Sequence, residues 1–249
     1  MVTLKSPREI DLMAQAGAIV AGTLQLVGTL VGPGVSTEEL DAEAERFIRS
    51  HRGATPSFKG LYGFPRSLCI SINEEIVHGI PSPRRILREG NIVSVDVGVF
   101  LHGFHADSAA TFPVGPIAPE AERLLAVTRQ ALVEGIAQAR VGNHVGDIGH
   151  AIQKTAESAG FGVVRELVGH GVGQRMHEDP QVPNHGQPGR GPRLQAGMTL
   201  AIEPMITAGS YATRVLDDKW TVVTEDGSLS AHFEHTVAIT REGPRILTA

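Results

Sequence analysis

Over residues 7–31 the large apolar side chains Ile10, Met13, Val20, Leu24, Val27 and Val31 recur at helical spacing and fall on one face. This predicts a long amphipathic helix. The uncharged run over residues 16–34 has the length of a membrane span. Its one-sided pattern and its interior Gly and Thr residues predict a helix packed on a protein core instead. Ser36 with Glu39 three residues on is a capping box and opens a second helix. A similar pair is predicted over about 119–140 and from near Asp147 to near Gly160. Residues 91–100 change to a period of two. Val93, Val95, Val97 and Val99 share one face, and Ile92, Ser94, Asp96 and Gly98 share the other. The valine face must be core, so Asp96 points out of the opposite face. A turn over residues 101–104 leads to a return strand with His105, Asp107, Ala109 and Thr111 on one face. A four-residue loop would set Val99 opposite Phe104 and Asp96 opposite Asp107, about 5 Å apart.

The chain repeats itself. Val31-Gly-Pro-Gly-Val35 recurs as Val141-Gly-Asn-His-Val145. Residues 87–96 align with residues 194–203, with Leu, Gly and the final carboxylate, Asp96 or Glu203, at equal spacing. Each half reads as two helices followed by several strands. Two long copies do not make a solenoid. They predict one α+β domain over 1–249, with pseudo-symmetric halves of about 1–115 and 116–249 and a site between them.

Composition narrows the function. The chain has 249 residues, 41% hydrophobic and 20% charged, which describes a globular protein with a sizeable core. A net charge of −5 argues against a general nucleic-acid binder. Cys69 is the one cysteine, which excludes an internal disulfide framework and a Cys-rich zinc site. The start of the chain carries Arg8, Glu9 and Asp11 and has no apolar signal core. A cytoplasmic protein without a membrane anchor is expected.

The chemistry gathers at five residues. Asp96 and Asp107 come from the hairpin. Glu203 ends a strand over 198–202, and Glu234 lies in a strand over 231–239, on the face opposite Phe233, Val237 and Ile239. His170 sits in Gly169-His-Gly-Val-Gly173. Carboxylates held close repel, so either protons or cations must neutralise them. Four carboxylates carry −4, which two divalent ions balance. Oxygen donors with one imidazole suit Mn, Fe, Co or Zn. A pair of such ions can polarise a carbonyl and activate water.

With these residues in view, the chain resembles the type I methionine aminopeptidases, in their short bacterial form. The matching strings are Cys69-Ile-Ser-Ile-Asn-Glu74, His78-Gly-Ile-Pro81, Val93-Ser-Val-Asp-Val97, Asp107 before Thr111-Phe112, Gly169-His-Gly-Val-Gly173, Ala201-Ile-Glu-Pro204, Trp220-Thr-Val222 and Phe233-Glu-His-Thr236. They run in family order through nearly the whole chain. The resemblance implies the pita-bread fold, an antiparallel sheet covered by helices with a pseudo-twofold repeat. It implies two divalent metal ions on Asp96, Asp107, His170, Glu203 and Glu234, the same five residues. The reaction it implies is removal of the N-terminal Met from nascent proteins, chiefly before a small second residue. Glu203 would shuttle the water's proton, and His177 and His78 would contact the scissile group. The walls of the Met pocket would be Phe64, Cys69, His78, Met176, His177 and Trp220, with Leu61 or Tyr62 nearby. Met176 stands where relatives usually carry an aromatic, and Leu61 where a Tyr is common. His51, His102, His144, His150 and His185 read as surface or loop residues, and His105, His232 and His235, near the ligands in sequence, as candidate supporting partners of the ligands.

The expected partners are peptides and nascent chains beginning with Met, with a transient ribosome contact, no specific nucleic acid and no membrane, and a monomeric enzyme. Two alternatives compete. An Xaa-Pro aminopeptidase or dipeptidase of the same fold usually has an extra N-terminal domain, which 249 residues cannot hold. A metal-free binding protein on this fold would have eroded ligands, and all five are intact.

Overall fold

Helix starts follow the capping chemistry. In the computed structural model, which describes residues 2–249, α1 (Pro7–Leu30) begins at Ser6. The Glu9 amide donates to the Ser6 hydroxyl, and the Ser6 amide donates to the Glu9 carboxylate. Ser36 and Glu39 repeat the arrangement at α2 (Thr37–Ser50). The strands β1 (Thr55–Pro56), β2 (Leu68–Ile72), β3 (Glu75–Val77), β4 (Ile92–Leu101) and β5 (Phe104–Pro113) follow. The second helix pair is α3 (Pro119–Ala137) and α4 (Val145–Ser158). The His144 amide donates to Asp147 at the start of α4, so that helix opens just before the expected position. Next come β6 (Gly162–Val163), β7 (Gly169–Gly171), β8 (Glu178–Val182), β9 (Thr199–Ile202) and β10 (Met205–Thr207). The chain closes with β11 (Thr213–Val215), β12 (Val222–Thr224), β13 (Ser230–His232), β14 (His235–Ile239) and β15 (Pro244–Ile246).

β4 is the spine of the first sheet, with β5 along one edge and β2 and β1 end to end along the other. The second large sheet runs β15-β14-β9-β7-β8. Two small sheets, β13-β10-β6 and β11-β12-β3, complete the array. Val93, Val95, Val97 and Val99 are fully buried and pack with Val20, Val27 and Leu40 of α1 and α2. In the same way Leu132 and Ile136 of α3 and Ile148 and Ile152 of α4 cluster with Leu200 and Ile202 of β9 and Val237 and Ile239 of β14. α1 is long and apolar enough to cross a membrane by length and composition. Met13, Val20 and Val27 nonetheless have no exposed surface, as its one-sided pattern predicts.

Two expectations about the strands are corrected. First, β4 and β5 join through a two-residue loop, not a four-residue one. Leu101 pairs with Phe104, and His102 (φ 52°) and Gly103 (φ 87°) both lie in the left-handed region, as a type I′ turn requires. Asp96 therefore pairs with Ala109, and Asp107 with Gly98. The tighter loop moves the register by two residues, so the carboxylates keep a common face and stand diagonal to each other. Second, the strand expected over 231–239 is broken at Phe233 and Glu234. β13 belongs to the sheet of β10, and β14 to that of β9.

Glu234 sits at this break, where the halves are stitched together. Its amide donates to the Ala109 carbonyl at 2.9 Å. The Thr236 hydroxyl donates to the Asp107 carbonyl at 2.8 Å and accepts from the Asp107 amide at 2.9 Å. The Thr111 hydroxyl does the same with the carbonyl and amide of His232. The end of the chain backs this seam. The Leu247 amide donates to the Thr236 carbonyl, and the Thr248 hydroxyl accepts from the Thr236 amide and meets the His235 Nδ1.

Gly98 opposes Asp107 because nothing larger fits. A Cβ there would lie 2.8 Å from the Ser57 Cβ and 2.9 Å from the Phe58 ring. Gly98→Ala is expected to cost about 1–3 kcal/mol, the usual penalty for overpacking. Urea unfolding measures it, and an unchanged midpoint would show that β1 yields freely.

Candidate metal centre and substrate cavity

Strand alternation delivers the carboxylates to one place. With the valines of β4 turned into the core, Asp96 faces the other way, and Cys69 is its direct cross-strand neighbour on β2. Asp107 lies on the same face from β5. His170 comes from β7, where it pairs with Ala201 of β9, and Glu203 follows directly after β9. Glu234 enters at the β13–β14 break. All five side chains line one cavity of about 630 Å³.

The geometry inside is tight. Ligand atoms of Asp107, His170 and Glu234 all lie within 4.8 Å of one another. The His170 Nε2 is 3.8 Å from Asp107 and 3.7 Å from Glu203. The His170 Nδ1 is 2.9 Å from the Gly171 carbonyl. A proton on Nδ1 makes this hydrogen bond and leaves the Nε2 lone pair directed at the carboxylates, the arrangement that orients a metal-binding imidazole. Asp107 and Glu234 are 4% and 2% exposed. One buried oxygen on each of Asp96, Asp107 and Glu234 has no hydrogen-bond partner. Buried polar atoms are ordinarily paired, so three orphaned carboxylate oxygens converging on one cavity fit divalent ions there. Four carboxylates and one imidazole are the donor set that Mn, Fe, Co or Zn takes.

Electrostatics points the same way. Burial pushes Asp96 up to about 7 and Glu203 up to about 8. Burial, reinforced by the neighbouring carboxylates, drives Asp107 and Glu234 well above the usual carboxylate range. Burial lowers His170 to about 4, so its ring is neutral at pH 7. Such displacement marks a site built for chemistry.

Beside the carboxylates the cavity turns apolar. Phe64, Cys69, His78, His177 and Trp220 line it. Phe64 meets Trp220 edge to face at 5.1 Å. Met176 backs this wall, packed with Phe58, Phe64 and Cys69. Leu61 packs on the same cluster, and Tyr62 stands at the mouth, 74% exposed, its ring stacked on His177 at 5.8 Å. The His177 ring lies 4.4 Å from that of His170. His78 holds a left-handed φ of 60°, a strained conformation characteristic of functional residues. His51, His102, His144, His150 and His185 stay outside the cavity lining.

Of the three histidines that sequence reasoning named as candidate partners of the ligands, His232 is the one the structure sets against a carboxylate. It is 1% exposed, and its Nε2 lies 3.6 Å from the Glu203 carboxylate without a hydrogen-bond partner. The available signal was its position two residues before Glu234. His105 instead bonds Ser57 at 2.8 Å, and His235 bonds Thr248.

A cavity with four carboxylates, one imidazole and an adjoining apolar wall defines a metallohydrolase site. Comparison with known proteins makes this specific. The model of metallopeptidase family M24 matches residues 11–241. The methionine aminopeptidase of Clostridium perfringens is 57% identical over 248 residues, covering 100% of this chain and 99% of that protein. Methionine aminopeptidase 1 of Bacillus subtilis is 54% identical, with the same coverage. The crystal structure of the methionine aminopeptidase from Thermotoga maritima matches with a TM-score of 0.98 at 45% identity, covering 100% of this chain and 99% of that one. The Xaa-Pro dipeptidase of Bacillus anthracis shares the fold, with a TM-score of 0.77 at 19% identity over 98% of this chain and 61% of its own. The chain belongs to metallopeptidase family M24 and has the pita-bread fold.

The raised carboxyl values give a sign to pH dependence. Unfolded carboxyls lose their protons near pH 4, but Asp96 and Glu203 in the fold hold theirs to about 7 and about 8. Between those limits the folded chain binds more protons than the unfolded one, so its stability falls as pH rises. Burial lowers His78 and His170 to about 4, and these act in the opposite sense, but only below their ordinary value of 6.5. Chelator-treated protein is therefore expected to lose thermal stability from about pH 6.5 to 8 and to regain it when Mn²⁺ is added. A Tm that stays flat or rises over that range would contradict the electrostatic picture.

Proposed function

We propose that this protein is a methionine aminopeptidase that removes the N-terminal Met from peptides and nascent chains, preferring a small second residue. The observation that carries the reading is the junction, within one cavity, of the carboxylate cluster with an apolar wall formed by Phe64, Cys69 and Trp220. Full-length identity to proteins of that name supports it. The whole chain would act as one catalytic unit, with Asp96 and Asp107 from one half and His170, Glu203 and Glu234 from the other. Asp107 is placed to serve more than one ion, since it neighbours both Asp96 and the His170–Glu234 pair.

Two bound divalent ions would supply Lewis-acid polarisation of the scissile carbonyl and a water of lowered pKa. The chain's own groups do the remaining work. Glu203, its own proton released on metal binding, takes a proton from the attacking water and returns it to the leaving amine. His78 is lowered to about 4 and His177 is lowered too, both by burial, so each imidazole is neutral and carries one N–H. His177 donates to the oxygen on which charge develops, and His78 to the scissile amide region. The free α-amine is held at the carboxylate end of the cavity.

Discrimination among first residues rests on shape, at about 1–3 kcal/mol per methylene. Met176 behind the wall is a softer support than an aromatic, so the pocket yields to branched side chains more readily than an aromatic-backed one. We assign the enzyme to the cytoplasm as a monomer with a transient ribosome contact, a setting that suits its single buried thiol.

Chelated protein resupplied with Mn, Fe, Co or Zn in turn tests the proposal on Met-Ala-Ser, Leu-Ala-Ser and Ala-Pro-Ala. Release of Met from the first peptide is expected, and its loss in Asp96→Ala. Preference for Ala-Pro-Ala would move the enzyme to the proline-specific branch, and no cleavage with any metal would favour a binding protein. With the best metal, His177→Ala is expected to lower kcat by about 100-fold, the scale of a lost oxyanion donor. An unchanged kcat would remove His177 from the reaction.

A further inference from the structure

A buried ion pair lies next to the catalytic loop and takes no part in the mechanism above. The Lys5 ammonium is 2.6 Å from the Glu178 carboxylate, and the two side chains are 3% and 4% exposed. Lys5 belongs to the strand-like segment before α1, and Glu178 follows His177 directly. The other oxygen of Glu178 accepts the Arg175 amide at 3.1 Å. One carboxylate thus closes the loop 173–178 on itself and ties it to a segment 173 residues away in sequence. That loop carries Met176 and His177.

The slot for Lys5 is carved by two glycines. A Cβ on Gly173 would lie 2.5 Å from the Lys5 Cε and 2.6 Å from a Glu178 oxygen. A Cβ on Gly197 would lie 2.7 Å from the Lys5 carbonyl. The Lys5 amide donates to the Gly197 carbonyl at 2.7 Å, and Gly197 in turn bonds Ile239 of β14. The Gly173 carbonyl accepts the His105 amide at 2.8 Å. Both ends of the clamp are therefore anchored to the sheets that hold the metal-site carboxylates. Two ions taken out of water in this way are a poor source of net stability, because desolvation offsets their attraction. A pair of this kind fixes geometry instead.

We propose that Lys5 is a positioning residue. Through Glu178 it latches the loop 173–178 so that His177 is held over the cavity, and the segment before α1 thereby becomes part of the active-site architecture. The proposal rests on the methionine aminopeptidase reading for its kinetic form, while the latch itself can be read without catalysis. When Lys5 loses its charge the carboxylate loses the partner that anchors it. The Arg175–Glu178 turn then loosens, and His177 samples positions that do not reach the substrate.

The experiment is a double-mutant cycle on the metal-loaded full chain with Met-Ala-Ser. Lys5→Met in the wild-type background is expected to lower kcat about tenfold and leave KM within twofold. In the His177→Ala background the same substitution should change kcat less than twofold, because the group it positions is already gone. A purely structural lysine would give equal losses in both backgrounds, and that additivity overturns the proposal. Hydrogen exchange supplies the readout that needs no activity. The Arg175 amide should exchange at least tenfold faster in Lys5→Met, while the amides of β4 stay unchanged. Unchanged Arg175 exchange also overturns the latch. If Lys5→Met does not fold, Glu178→Gln, which keeps an acceptor for Arg175 and removes the charge, carries the same two measurements. If the wild-type enzyme releases no Met, the functional reading fails by itself, and the exchange result still decides the latch.

Discussion

Four buried carboxylates cannot remain charged together at such close range, and the rest of the molecule is arranged around that constraint. Each of Asp96, Asp107, Glu203 and Glu234 is held by a strand or a strand end and cannot swing out to solvent. Burial displaces all four carboxyls upward, and for Asp96, Asp107 and Glu234 the neighbouring carboxylates add to it, so protons neutralise the site when it stands alone. Divalent ions relieve it when bound, and their binding must release those protons. The same constraint explains the neutral histidines. His78, His170 and His177 are buried beside the acids, and each stays uncharged because burial disfavours the charged imidazole, with neighbouring histidines adding to the effect at His78 and His170.

The carboxylates come from both halves, so the seam between halves does chemical service. It uses hydroxyl side chains more than a backbone ladder. Thr236 grips the backbone of Asp107, and Thr111 grips that of His232. The break between β13 and β14 frees the Glu234 amide to reach Ala109. One strand across 231–239 would have kept Glu234 in a single sheet. Breaking it lets Glu234 face Asp107 while the residues on either side pair with different sheets.

Much of this was legible in the residues. The period-two valines of β4 placed Asp96 on the face away from the core, and the Leu-Gly-carboxylate repeat matched Asp96 with Glu203 across the halves. The Ser36–Glu39 capping box marked the start of α2, while the equivalent Ser6–Glu9 box at α1 went unread. What escaped was governed by local backbone geometry. A left-handed His102 beside Gly103 made a two-residue turn where four residues had been read, because a non-glycine residue in that region carries no sequence mark. The face shared by Asp96 and Asp107 survived the error, since a register shift of two leaves alternation intact. His232 was legible only as one of three candidates, because nothing in the pattern separates it from His105 and His235, which bond Ser57 and Thr248 instead. The tie from Lys5 to Glu178 spans most of the chain, and no pattern within either segment announces it.

The placement of the last residues has a practical side. Leu247 and Thr248 are 4% and 3% exposed, and both hold Thr236, whose hydroxyl holds Asp107. Two hydrogen-bonded steps thus separate position 248 from the backbone of a metal-site residue. Loss of residues 247–249 would cut into the support of the metal centre while barely changing the mass. A preparation with low metal content is therefore worth checking for an intact peptide over these residues before its metal affinity is interpreted.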